Sequence, residues 1–410
     1  MLVALRPVAA LLLSVALLLM GNGLQGALLP LRAAIENQTA LEIGLLGSSY
    51  FAGFALGCLR AASFVQNVGH IRAFTAMVAL ASTTALLHAL LVEPVFWWIL
   101  RGITGFCFAV IFAIIESWLN EKATSSNRGT IFSVYMIINL TVITLGQLIL
   151  TLGDPALFPL FCVASVLVSV AALPIALTRS AQPEPIAQTK VRIRKLFAQS
   201  PAGVMGALAV GLANGAFWAL APVFSAEHTG GLSAADATAY FMSATVIGGA
   251  VGQWPLGALS DRIDRRIVMI FAAIAAAASG VLLALMPGLF PGAPFFFAFL
   301  FGAFSFPVNG LANAHMNDHV EPAGFVEAAS GMLLTYGIGA VIGPFIASGL
   351  IDLFGVVALF LYTAAVHVAL VLYIWLRIFA RGAPEETEQV TFTESLIAST
   401  TVSGVDTHTD

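Results

Sequence analysis

Residues 105–146, GFCFAVIFAIIESWLNEKATSSNRGTIFSVYMIINLTVITLG, return loosely but in register 197 residues later as GAFSFPVNGLANAHMNDHVEPAGFVEAASGMLLTYGIGAVIG, residues 302–343. Gly105 falls on Gly302, Asn120 and Glu121 on Asn317 and Asp318, Ser133 on Ser330 and Gly146 on Gly343. With the register slipped by two residues, Ser48, Gly53 and Gly57 fall on Ser243, Gly248 and Gly252. A further slip sets Asn22, Gly23 and Pro30 on Asn214, Gly215 and Pro222. A drifting offset is what loop insertions leave behind, so the chain reads as two related halves. Two matching membrane bundles usually enclose a shared site, which makes transport the leading expectation.

Composition identifies the solvent. Hydrophobic residues make up 59% of the 410 and charged residues 9%, with mean hydropathy +0.96; a soluble domain carries roughly 25% charge. The solvent is lipid. Apolar runs near the ~20 residues that a bilayer demands lie at 7–30, 41–63, 71–92, 95–118, 129–152 and 155–178. A second set lies at 203–226, 237–259, 267–288, 293–315, 325–351 and 355–380. Lipid leaves no water to satisfy irregular backbone, and the runs lack the alternation of barrel strands. The expectation is an all-α integral membrane protein of twelve transmembrane helices in two pseudo-symmetric six-helix bundles, 1–178 and 203–381, joined by a cytoplasmic linker, 179–202. Arg6 before an apolar stretch has the look of a secretory signal. The stretch continues past Gly21, Asn22 and Gly23 to Leu31 without a clear small-residue cleavage site, and is read as a span.

Cation placement sets the orientation. An N-terminus in the cytoplasm puts 15 of the 17 Lys and Arg on that side, leaving Arg32 outside and Arg101 within a span. The positive-inside rule then places both termini in the cytoplasm of a multi-pass plasma membrane protein, the inner membrane of a bacterium. The linker's Lys190, Arg192, Arg194 and Lys195 fit either anionic headgroups, at about 1 kcal/mol per cation, or a plain topology determinant. After Arg381 the chain holds Glu385, Glu386, Glu388, Glu394, Asp406 and Asp410 and no base, so 382–410 reads as a disordered acidic tail. Cys58, Cys107 and Cys162 sit in or at the edge of spans and offer no metal spacing.

The segment from Gly257 to Arg266, Gly-Ala-Leu-Ser-Asp-Arg-Ile-Asp-Arg-Arg, resembles the cytoplasmic loop motif of the major facilitator superfamily, here in the second half. Arg101 with Gly105 resembles that superfamily's fourth-helix pattern. Glu116 to Glu121, Arg128 with Gly129, Tyr135 with Met136, and Gly69 to Arg72 are similar to its poorly characterised YcaD-like branch. The resemblance runs nearly to Arg381. It implies that helices one, four, seven and ten line a cavity, and that the arginine at 101 is associated with proton coupling.

The loop motif also has its own physical rationale. Gly257 permits close helix approach, while Asp261 can accept from the N-terminal amides of a neighbouring helix and pair with an arginine. Arg262, Arg265 and Arg266 would then be held at the cytoplasmic surface, and the latch would bias one of two bundle arrangements. In the first half Gln66 stands for the acid and Asn67 for the base, so Gly69, His70 and Arg72 form either a weaker latch or simply a tight turn.

Arg101 costs about 2.5–3.5 kcal/mol near a helix centre and stays protonated in any site. It either snorkels to the outer headgroups or faces the cavity. Glu116, roughly 22 Å further along the same helix, is a proton-coupling candidate or a structural acid at the membrane boundary. Glu327 has the same ambiguity. Asn22 and Gln25 share one helical face, as do Asn214 and Trp218, and Asn309 and Asn313; with Tyr336 they make the expected substrate cavity. Asn139, Thr144, Gln147, Tyr50 and Gln253 can add to it. His88 and His367 fall outside this set and read as packed or snorkelling histidines. Gly337, Gly339, Gly343 and Pro344 would thin and bend the eleventh helix.

The fifth helix reads Leu145-Gly146-Gln147-Leu148, without the Gly-Pro of drug antiporters, and the first span lacks an acid. The expected function is therefore secondary active, proton-coupled transport of a small polar or anionic solute by alternating access. Efflux of amphipathic compounds and a non-transporting membrane sensor or assembly factor are the alternatives. No phosphate-binding loop and no catalytic constellation appears, so neither an enzyme, a cofactor, a metal nor a nucleic-acid partner is expected. The expected partners are a solute, protons and the bilayer, with the chain a monomer.

Overall fold

A computed structural model describes residues 8–124, 127–177, 191–321, 324–380 and 391–399. Arg6, Arg179, Lys190, Arg381 and the acids Glu385, Glu386, Glu388, Asp406 and Asp410 lie outside them. The described chain is helical throughout, with no strand. The spans of the first half are α1 (Ala9–Ile35), α2 (Ala40–Val68), α3 (His70–Leu90), α4 (Pro94–Lys122), α5 (Arg128–Leu152) and α6 (Pro159–Ala176). Those of the second are α7 (Pro201–His228), α8 (Ala234–Ser260), α9 (Arg265–Leu285), α10 (Ala293–Asn317), α11 (Phe325–Phe354) and α12 (Ala358–Ile378). At 1.5 Å per residue the helices of 21 residues or more cover a hydrocarbon layer of about 30 Å, and α6, with 18, comes close to it.

Among the described residues, eleven of these helices are long and apolar enough to cross a membrane, α8 being the exception. Its Gly248, Gly249 and Gly252, hydroxyls, Gln253 and Pro255 dilute its hydropathy without shortening it. Local chemistry sets the ends. Gly69 adopts φ 89° at the tight turn between α2 and α3, a conformation that favours glycine. Ser200 and Ser233 cap α7 and α8 by accepting from Gly203 N and Asp236 N.

The described residues cluster into two units, 8–38 with 49–177, and 39–48 with 191–399. Residues 39–48, the first turns of α2, thus belong to the second unit, in which the Ser48 hydroxyl donates to the Val341 carbonyl at 2.7 Å. The two units use the same packing plan. In the first, α1 packs on α5 and α6, and α3 on α4 and α6; in the second, α7 packs on α11 and α12, and α9 on α10 and α12.

The repeated glycines explain that plan. A Cβ at Gly105 would strike the Tyr50 carbonyl, and one at Gly302 the Thr245 carbonyl. Gly53 and Gly248 meet the carbonyls of Gly102 and Phe299 in the same way, while Gly146 and Gly343 meet those of Met20 and Leu212. The repeat is therefore a repeat of helix crossings, where small residues let backbones touch. Gly339 and Gly343 serve this close packing of α11 on α7, with Pro344 inside an otherwise continuous helix. It is α10 that breaks, at Phe306, where Pro307 removes a backbone donor.

Candidate functional site

In the first unit α4 carries Arg101 inward. The residue is only 9% exposed, so the snorkelling alternative does not describe its conformation. Its guanidinium sits over the Tyr50 ring, 4.4 Å from the centroid, a cation–π contact strengthened by burial. Nη1 approaches Gln25 Oε1 at 3.5 Å, the outer edge of hydrogen bonding. Asn22 adjoins Tyr50. Asn22 Oδ1 and Gln25 Nε2 on α1 are buried without a hydrogen-bond partner among the described residues, as is Gln147 Oε1 on α5. A guanidinium offers five N–H donors, and among the described residues one weak amide contact and one aromatic face answer them.

Glu116, on the same helix, is half-buried and makes no hydrogen bond or ion pair among the described residues; Cys58 and Tyr135 are the ionisable groups that feel its charge. The boundary contacts expected of it go to its neighbours. Ser117 meets His70 Nε2 at 3.4 Å, and Arg128 donates to Asn120 Oδ1 at 2.8 Å. Asn139 and Thr144 donate to carbonyls of their own helix at Tyr135 and Leu140. His88 is fully buried and packs against Trp97.

In the second unit Trp218 stacks on Phe306, at the break in α10, with centroids 5.7 Å apart. Asn313 donates to the Asn309 carbonyl of its own helix at 2.9 Å, so its amide nitrogen is spent locally. Asn309 and Tyr336 are half-buried. Asn214, 5% exposed, has a different partner: Ser305 Oγ donates to its Oδ1 at 3.1 Å, and the same hydroxyl lies 3.1 Å from His367 Nε2.

The loop motif forms an ion-pair cluster. Arg265 donates through Nε to Asp318 at 2.6 Å and through Nη1 to Asp261 at 3.2 Å; the Arg265 and Asp318 side chains are 1% and 2% exposed. Arg266 pairs with Asp264 at 2.7 Å. Burial alone would raise the Asp264 carboxyl, but hydrogen bonds from the Arg266 side chain and backbone, with its charge, hold it below the ordinary carboxylate value. The expectation that Arg265 and Arg266 lie at the surface with Arg262 needs correcting. Arg262 alone is exposed, because the other two guanidiniums turn inward to acids at the ends of α9 and α10.

Asp261 Oδ1 also accepts from Phe392 N at 2.8 Å. That amide opens a short helix, α13 (Phe392–Ser399), capped by Thr391 and Glu394. Phe392 is 4% exposed and fills the notch left by Gly257. Part of the tail expected to be disordered is thus ordered on the second unit. At the linker, Arg192 and Lys195 pair with Glu327 at 2.8 and 3.4 Å, giving that acid a structural partner. The hydrogen bond and charge of Glu327 raise the already high Arg192 pKa.

The sequence profile of the Major Facilitator Superfamily matches residues 11–333 and, in an overlapping second match, 242–403. The chain belongs to that superfamily. Among its relatives is an uncharacterized MFS-type transporter, YcaD, of Escherichia fergusonii, 28% identical over 384 residues that cover 92% of this chain and 96% of the relative. The fold is that of the nucleoside transporter NupG (TM-score 0.76, 13% identity, 91% and 99% of the two chains covered). It is also that of the E. coli fucose:proton symporter FucP (TM-score 0.57, 15% identity, 91% and 99% covered).

Several contact residues of this superfamily member escaped sequence reasoning. Ser305 carries no signal, and His367 reads only as a packed or snorkelling histidine, because one polar residue in an apolar span carries no partner information. Asp318 was visible only as the repeat partner of Glu121. Phe392 lay in a segment whose acidity and hydroxyls masked a capping box, Thr391 with Glu394 three residues on.

Proposed function

We propose that this member of the superfamily is a secondary active transporter of a small polar or anionic solute, coupled to protons and working by alternating access. The observation that carries the proposal is Arg101. A buried guanidinium is costly, and this one has an aromatic face and a single 3.5 Å amide contact as protein partners among the described residues. A solute carboxylate, phosphate or array of hydroxyls supplies the acceptors that the protein withholds. Asn22 and Gln25 orient it from the same unit. Asn214, Trp218, Asn309, Asn313 and Tyr336 are proposed as the second unit's contribution. Glu116 is the proton carrier, because it is half-buried and pairs with no cation among the described residues. NupG and FucP, named for a nucleoside and for fucose with a proton, are consistent with a small polar cargo.

The cation distribution supports cytoplasmic termini and residence in a bacterial inner membrane. The repeat supports two bundles, 1–178 and 203–381, joined by the linker 179–202 in a monomer, with the ion pairs of the loop motif stabilising one bundle arrangement. Transport is the proposed role, not catalysis.

A thermal-shift screen of the purified protein against organic acids, nucleosides, sugars and amphipathic cations tests this reading. A solute at 100 times its Kd adds about 2.7 kcal/mol of stability. The expected result is stabilisation by an anion or polyol in the native protein and none in Arg101→Gln. Stabilisation only by amphipathic cations, indifferent to Arg101→Gln, would overturn it in favour of efflux.

A further inference from the structure

Asn214, Ser305 and His367 sit on three different helices, α7, α10 and α12, all within the second unit. Ser305 is fully buried and His367 is 1% exposed. The ring's Nδ1 lies 2.7 Å from the Thr363 carbonyl and its Nε2 lies 3.1 Å from Ser305 Oγ, which in turn lies 3.1 Å from the Asn214 side chain. The edge of Phe301 closes the ring's surroundings, with centroids 6.1 Å apart. Neither relative position in the repeat nor helical periodicity predicts this chain of contacts.

The hydrogens on such a chain are countable. A carbonyl only accepts, so Nδ1 of His367 carries a hydrogen in every state. When the ring is neutral, Nε2 is bare and accepts the single Ser305 hydroxyl hydrogen. Ser305 Oγ can then only accept from Asn214, which must turn its NH2 group inward and leave its carbonyl oxygen on the other side. When the ring is protonated, Nε2–H donates to Ser305 Oγ. The hydroxyl hydrogen passes to Asn214 Oδ1, and the amide turns its NH2 outward. The two states differ by one proton on His367 and a half-turn of one amide, with every hydrogen bond kept.

We propose that His367 is a positioning residue that converts a proton into a change of hydrogen-bonding sign at Asn214: donor to the solute when the ring is charged, acceptor when it is neutral. The inference rests on the reading that Asn214 contacts solute, and it gives proton coupling a second element besides Glu116. The helices around the ring carry other ionisable groups. Of the helices packed on α12, α9 carries Arg265 and Arg266 at its first residues, and α7 carries Glu227 and His228 at its last. On α11, Glu327 and Asp352 lie near the two ends, and Tyr336 sets its backbone against Gly211. His315 lies near the end of α10, beside His319. On α12 itself Tyr362, Tyr373 and Arg377 are the remaining ionisable groups.

The test needs no solute. The full chain, labelled with 15N at histidine and asparagine and held in detergent micelles, is titrated by NMR between about pH 4 and 9, the range in which histidines respond to environment. His367→Gln and Asn214→Ser assign the two signals. The expected result is that the His367 ring and the Asn214 side-chain NH2 move with one common midpoint. Ser305→Ala should abolish the Asn214 response, and Ser305→Thr, which keeps the hydroxyl, should retain it. An Asn214 signal that stays fixed while His367 titrates overturns the proposal. So does co-titration that survives Ser305→Ala, or a ring that never titrates. A positive titration with a negative solute screen would leave the coupling of His367 to Asn214 standing and remove its role toward a solute, so the two fail separately.

Discussion

The two units share a scaffold and place their charge at opposite ends of it. At position 101 the first unit buries an arginine in the first third of the fourth helix; the residue 197 positions later is Ala298. At position 318 the second unit buries an aspartate against Arg265, and the residue 197 positions earlier, Glu121, is exposed. Paired charges at a helix end hold structure. A buried charge with few protein partners among the described residues is the kind proposed above to meet a solute. The repeat includes the glycines at the helix crossings and not the buried charges.

The largest effect expected from this contrast is at the ion pair. Asp318→Ala leaves Arg265 buried with the partner of its 2.6 Å bond removed, a loss of roughly 3–5 kcal/mol, whereas Glu121→Ala falls within about 0.5 kcal/mol. Thermal unfolding of the detergent-solubilised protein compares them, and equal effects would erase the asymmetry. Phe392→Ala removes an aromatic ring from the Gly257 notch, worth about 1.5–3 kcal/mol of local docking. Hydrogen exchange across 391–399 should accelerate while exchange in α1 to α6 stays unchanged.

Gly105→Ala and Gly302→Ala test what the halves still share. Each puts a methyl group against a backbone carbonyl, so each should cost about 1–3 kcal/mol and the two should be alike; a tolerated substitution in one half alone would mean that the crossings have diverged too. Asp264 gives the smallest effect. Its pKa is held below the ordinary 3.8, so its stabilisation is present above that value and is lost as pH falls through the depressed one. Asp264→Asn should flatten the acid limb of a stability–pH curve measured below about pH 5, and an unchanged limb would place the acid sensitivity elsewhere.

Much of this was legible before any coordinates. The spans followed from hydropathy, since lipid permits few alternatives to a helix. The halves followed from the glycine register, because close helix approach tolerates only small residues. Arg101, Gln25 and Asn214 announced themselves as polar groups in lipid. Their partners did not, because a cation–π contact with Tyr50 or a hydroxyl bridge from Ser305 joins helices far apart in sequence and leaves no local pattern. The direction in which Arg265 turns depends on Asp318, 53 residues away, and periodicity has no access to it.

The most direct measurement crosses the two halves in one assay. Wild type, Arg101→Gln and Asp318→Asn are each unfolded thermally with and without the solute found in the screen. The division of roles predicts that Arg101→Gln keeps the basal melting temperature and loses the solute-induced rise, while Asp318→Asn lowers the basal temperature and keeps the rise. If Arg101→Gln instead lowers the melting temperature and leaves the solute-induced rise intact, Arg101 is a structural residue and its assignment to the solute site is wrong.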